Sequence, residues 1–143
     1  MKQEINIENW SRKAHYHFFS KFEEPFFGIT LLINCTEAHQ YSKENKLSFF
    51  LVYLYRALKA ANEIEAFRYR IVDGKVYLFD QVNASATIDR PDRTFGFAYI
   101  DYDGSESLFY EKAYNVIEEV KLEILMNVTT PFRRKLTTRF GAN

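Results

Sequence analysis

At 143 residues the chain is long enough for one hydrophobic core and too short for two ordinary domains; its 47% apolar content, with 14 Phe and 10 Tyr, excludes a disordered protein. A formal net charge of zero gives no general attraction for nucleic acid or an anionic membrane, although residues 121–143 hold five basic side chains against the single acid Glu123. Met1 to Trp10 lack the apolar centre of a signal peptide, no apolar run nears the roughly 18 residues of a membrane span, and the single cysteine, Cys35, cannot close an internal disulfide. A cytoplasmic protein is therefore expected.

Trp10, Lys13/Ala14, His17/Phe18 and Phe22 recur at spacings of three and four, which predicts a short amphipathic helix over residues 9–22 with Asn9 as its N-cap. Pro25 and Gly28 end it, and Ile29 to Asn34 read as an apolar strand rich in β-branched residues. Thr36 is the expected cap of a polar helix running through Glu37 to Lys46. From Ser48 onward Phe50, Leu51, Leu54, Ala57, Leu58 and Ala61 form one apolar stripe, with Tyr53 and Lys59 off it, so a second amphipathic helix is expected there.

Arg68 to Val72 and Lys75 to Phe79 flank Asp73-Gly74, and an Asp-Gly pair between two β-rich runs signals a type I′ hairpin because Gly accepts positive φ. Ala84 to Ile88 and Thr94 to Ile100 read as two more strands around the charged loop of residues 89–93. After a turn at Tyr102 to Gly104, Ser105 opens a helix whose apolar side carries Leu108, Phe109, Ala113, Val116, Ile117 and Val120. Helices segregated from an antiparallel or mixed sheet give an α+β class. The chain divides as a domain over residues 1–126 and a basic irregular tail over residues 127–143, where no period of 2 or 3.6 persists.

The five glycines are scattered at 28, 74, 96, 104 and 141, which argues against a phosphate-binding loop. His15 and His17, two apart on the first helix, point to different sides, and no metal site is expected. Asp101, Asp103 and Gly104 lack the later ligands of a calcium loop and read as a turn before a helix. Phe18, Phe19, Phe22, Phe26 and Phe27 have two readings: core packing, or a hydrophobic pocket gripping a ring-bearing ligand.

The order Asn9-Trp10-Ser11-Arg12-Lys13-Ala14-His15-Tyr16, an aromatic stretch, a strand, two helices and then Phe67-Arg68-Tyr69-Arg70-Ile71-Val72-Asp73-Gly74 resembles the chloramphenicol acetyltransferase family. Members of that family begin with Trp-x-Arg-x-x-His-Phe and later carry Phe-Arg-x-x-Ile-x-Asp-Gly; Thr94-Phe95-Gly96-Phe97 similarly looks like the family's Thr-Phe-Ser strand. The resemblance covers about residues 5–120. It implies a two-layer, sandwich-like fold with a mixed β-sheet flanked by helices, assembled as a trimer with sites at subunit interfaces. It also implies acetyl-CoA as co-substrate, a hydrophobic hydroxyl-bearing acceptor, and a base in a His-His-x-x-x-Asp-Gly motif.

On this resemblance Arg12 matches the supporting arginine that meets the motif aspartate. Phe18 and Phe19 match aromatics lining the acceptor pocket, Phe26 and Phe27 fall in the next pocket segment, and Phe95 and Phe97 match strand positions facing the acceptor. Phe19 departs from the Tyr common in resistance enzymes. No His follows His39, so the motif, its base and the segment of the oxyanion serine have no counterpart in these 143 residues. The expectation is an acyltransferase-type chain inactive alone; the alternative is a non-catalytic ligand-binding or self-association module built on the same fold.

Overall fold

Asp73 and Gly74 both take positive φ, +51° and +74°, and fold residues 69–79 back on themselves. In the computed structural model, which describes residues 1–122, strand β2 (Tyr69–Val72) pairs antiparallel with β3 (Lys75–Phe79), Val72 opposite Lys75 and Tyr69 opposite Leu78. This is the hairpin expected from the sequence. Its free edge is covered by β1 (Lys2–Glu4), a strand too short and polar to be read from periodicity, giving the order β1-β3-β2. Ile5 extends that pairing by donating its N–H to the carbonyl of Val76 at 2.9 Å.

A second antiparallel pair joins β4 (Ala84–Asp89) to β5 (Phe95–Ile100), with Ala84 opposite Ile100 and Asp89 opposite Phe95. Asp92 stabilises the loop between them by accepting from the Thr94 N–H at 2.9 Å and the Thr94 hydroxyl at 2.7 Å, which lowers its pKa. Alternation along β5 decides the layers: Gly96, Ala98 and Ile100 face inward, while Phe95 and Phe97 face out.

Helices α3 (Phe49–Glu63) and α4 (Glu106–Leu122) form a core with β4 and β5. Phe109, Ala113 and Ala98 are fully buried, and the Tyr55 ring sits 5.3 Å from Phe109 with its hydroxyl donated to the carbonyl of Gly104 at 3.1 Å. Of the stripe expected on α3, Leu51 and Leu58 are buried and Phe50 and Leu54 pack against the core, but Val52 and Tyr55 join the buried face and Ala57 is exposed. The Tyr55 ring packs against Phe109, a contact that an alanine side chain is too small to make. Likewise Tyr110 replaces the expected Leu108 on the buried face of α4.

Helix α2 (Thr36–Glu44) begins as expected, but the capping oxygen comes from Asn34, which accepts from the N–H of Thr36 at 3.0 Å and from its hydroxyl at 2.7 Å. The first helix is shorter than expected. A 3-10 turn at Ile7–Asn9, capped by the Asn6 side chain, precedes α1 (Lys13–Phe19), and Asn9 is not a helix cap. Residues 29–34 are not a strand: they have no regular structure and are exposed, Leu32 fully so, with no neighbouring strand among the described residues to take their backbone groups. Strand-forming side chains alone did not make a strand.

Helices and antiparallel sheets are thus segregated as an α+β fold, and all the described strand pairings are antiparallel. The expected boundary at residue 126 and the basic tail of residues 127–143 lie outside the described residues. Among the described residues no helix is long and apolar enough to cross a membrane.

Candidate acceptor site

The segment after β1 brings Trp10 and α1 onto the hairpin. Trp10 meets the Tyr69 ring edge-on with 5.0 Å between centroids and lies 6.3 Å from Tyr16, whose hydroxyl points at the Gly74 carbonyl, 3.4 Å away. The Asp73–Gly74 turn therefore receives the helix that carries the candidate aromatics. The guanidinium carbon of Arg12 stands 5.9 Å from the Tyr69 ring centre, within cation–π range.

Tyr69 is itself held. Its hydroxyl donates to Glu65 at 2.5 Å, from the single turn that links α3 to β2, and this bond to a carboxylate raises the phenol pKa above its ordinary value. Sequence reasoning placed Arg12 and the Phe-Arg-x-x-Ile stretch but missed Tyr69 as their meeting point. The available signal was period two: Tyr69 and Ile71 share one face of β2, and an aromatic there can meet what packs on the hairpin.

Beyond Arg12 the short α1 buries none of its residues. Phe18, Phe19 and Phe22 gather into a cluster of their own, with centroids 5.1 Å apart for Phe18 to each of the others and 5.5 Å between Phe19 and Phe22. About half of each ring remains exposed, so the cluster is neither core nor a lone surface aromatic. Phe95 and Phe97 form a second grouping, 5.6 Å apart at 86°, on the outward face of β5. Phe26 and Phe27 stand 88% and 90% exposed in the irregular segment after α1 and join neither grouping.

The three histidines of the chain are dispersed. His15 and His17 lie on α1, His17 with its ring 5.6 Å from Tyr16, and His39 lies on α2 with its ring 5.4 Å from Phe49. Among the described residues no three side chains of metal-binding type come together. One feature absent from the sequence reading is an open groove of about 490 Å³ between α2 and α4, lined by Tyr41, Asn45, Leu47, Glu106, Ser107 and Tyr110. Its polar groups serve one another: Tyr110 donates to Glu106 at 2.5 Å, and Arg56 lies 3.3 Å from the same carboxylate. Burial, then the bond to Glu106, pushes the Tyr110 phenol far up.

Comparison with known proteins matches residues 2–131 to a family model described as chloramphenicol acetyltransferase. The chain is 26% identical over 112 residues to a chloramphenicol acetyltransferase of Bacillus pumilus, covering 78% of this chain and 51% of that one. It is 23% identical over 118 residues to chloramphenicol acetyltransferase 3 of Escherichia coli, covering 82% and 55%. A solved structure described as chloramphenicol acetyltransferase superposes with a TM-score of 0.79 at 42% identity, over 82% of this chain and 56% of that chain. The chain spans about half the length of the curated relatives it matches.

Proposed function

The chain belongs to the chloramphenicol acetyltransferase family, and on that premise we propose that it supplies the acceptor-binding part of an O-acetyltransferase. The acceptor is a hydrophobic small molecule bearing a hydroxyl, and the acetyl donor is acetyl-CoA. The observation that carries this reading is the half-exposed cluster of Phe18 and Phe19, at the end of the helix that follows Arg12, with Phe22 just beyond it; the family pattern puts Phe18 and Phe19 in the acceptor pocket. Partly exposed rings facing one another offer an aromatic ligand apolar contact without first leaving a core. Phe95 and Phe97 add a second outward aromatic grouping on β5, and Phe26 and Phe27 stand almost fully exposed after α1.

In the reaction the acceptor oxygen attacks the thioester carbonyl carbon, its proton passes to a base, the carbon–sulfur bond breaks and CoA leaves as the thiol. Arg12 is read as the supporting arginine of the site. His15, His17 and His39 do not stand in a His-His-x-x-x-Asp-Gly motif, so none of them is assigned as the base, and these 143 residues are read as inactive by themselves. Assembly as a cytoplasmic homotrimer, with sites shared between subunits, completes the proposal.

The test is thiol release from acetyl-CoA with chloramphenicol, for the purified chain alone and mixed with a full-length family member. Silence alone supports the reading. Turnover by the chain alone, insensitive to substitution of Phe18 or Phe19, would remove both the inactivity and the site. A second reading, a self-associating module, is favoured by the exposed apolar run of Phe26, Phe27, Ile29, Leu31, Leu32 and Ile33. Light scattering that finds a monomer at all concentrations would exclude it.

A further inference from the structure

Arg12 lies on the exposed surface at the start of α1, ahead of a helix that buries nothing, so the helix itself does little to fix the arginine's long side chain. An arginine read as supporting a site loop must nevertheless present its planar guanidinium in one direction. The group that gives it a direction is on the page: the Tyr69 ring, 5.9 Å from the guanidinium carbon.

That ring is restrained from three sides. β2 sets its base through pairing with Leu78, the Trp10 edge blocks one flank at 5.0 Å, and Glu65 holds the hydroxyl at 2.5 Å. Glu65 belongs to the turn leaving α3, so the restraint ties Arg12 to a different part of the fold from its own helix. The geometry assigns Tyr69 as a positioning residue for Arg12, with Glu65 as the group that keeps the Tyr69 ring in place. This assignment rests on the reading of Arg12 as the supporting arginine of the acetyltransferase site. Tyr69 itself touches no reacting atom.

The test is arginine side-chain NMR on the full chain. The ring current of Tyr69 is expected to hold the Arg12 Nε–H and δ-methylene resonances away from random-coil positions. Tyr69→Leu is expected to return them there, Tyr69→Phe to retain part of the displacement, and Glu65→Ala to reduce it by freeing the ring, with the amides of Lys75 and Val76 reporting an intact hairpin in each case. Glu65 is exposed, so Glu65→Ala and Tyr69→Phe keep the question answerable even where Tyr69→Leu fails to fold. Random-coil Arg12 signals in the unsubstituted chain, or signals indifferent to both Glu65→Ala and Tyr69→Leu, would overturn the assignment. The readout needs no turnover: thiol release by the chain alone, insensitive to substitution of Phe18 or Phe19, would sink the functional reading and leave the ring contact standing, and a random-coil Arg12 would do the reverse.

Discussion

Arg90 donates its Nε–H to the carbonyl of Val120 at 2.8 Å, so a side chain leaving the end of β4 reaches the backbone of α4. The bond ties the loop after β4 to the backbone of α4. Gly96 on β5 makes the approach possible. A Cβ there would lie 2.6 Å from both the Arg90 guanidinium and the Val120 side chain.

Gly96→Ala is therefore expected to destabilise the fold by about 1–3 kcal/mol, the usual cost of overpacking a filled site. Urea denaturation measures it. A change within about 0.5 kcal/mol, the range of neutral surface substitutions, would mean that Arg90 has room to move aside.

Asn62 closes two hydrogen bonds with one residue, donating to the Val82 carbonyl at 2.9 Å and accepting from its N–H at 2.8 Å. This fixes α3 against the chain that crosses from the first sheet to the second. Asn62→Ala leaves two half-buried backbone groups unpaired and should cost about 1–3 kcal/mol. Amide exchange at Val82 gives a local check, with faster exchange expected.

At the hairpin, Gly74 at φ +74° and Asp73 at φ +51° respond differently to substitution. Gly74→Ala is expected to cost about 1–2 kcal/mol, because a Cβ in the left-handed region meets the following carbonyl. Asp73→Gly should lie within about 0.5 kcal/mol of the parent, since the strain it relieves and the backbone freedom it adds oppose each other. Equal losses at both positions in a thermal melt would contradict the turn type.

Acid stability should depend on Asp103. Lys112, followed by the Ser105 N–H, holds its carboxyl below the ordinary range. A depressed carboxyl contributes stability above its unfolded pKa and loses it as pH falls through the folded value, whereas the raised Lys112 contributes below its unfolded pKa and fades as pH rises through the folded one. Asp103→Asn should flatten the decline of stability on acidification, modestly because the pair is exposed. Parallel pH profiles for the two proteins would remove Asp103 from the account.

For the acceptor site, Phe18→Ala and Phe19→Ala should weaken binding of an aromatic acceptor while leaving stability nearly unchanged, because both rings are half in solvent. A lost aromatic contact is expected to lower affinity by roughly tenfold at about 1.4 kcal/mol. Trp10, the single tryptophan, provides a fluorescence readout near α1. Unchanged affinity would move the acceptor elsewhere.

The Asp73–Gly74 hairpin, the strands β4 and β5, the helices α3 and α4 and the family motifs were legible in the amino-acid order, because turn chemistry and side-chain period act over a few neighbouring residues. The segment 29–34 shows where that stops: its side chains favour a strand, but a strand exists only where another chain segment accepts its backbone bonds, and the described fold offers none. The burial of Tyr55 in place of Ala57 on α3, Arg90 against the backbone of α4, and Tyr69 between Trp10 and Arg12 come only from the packed fold. Each depends on residues tens of positions apart filling one volume or satisfying one polar group, and local sequence pattern does not encode such a distance.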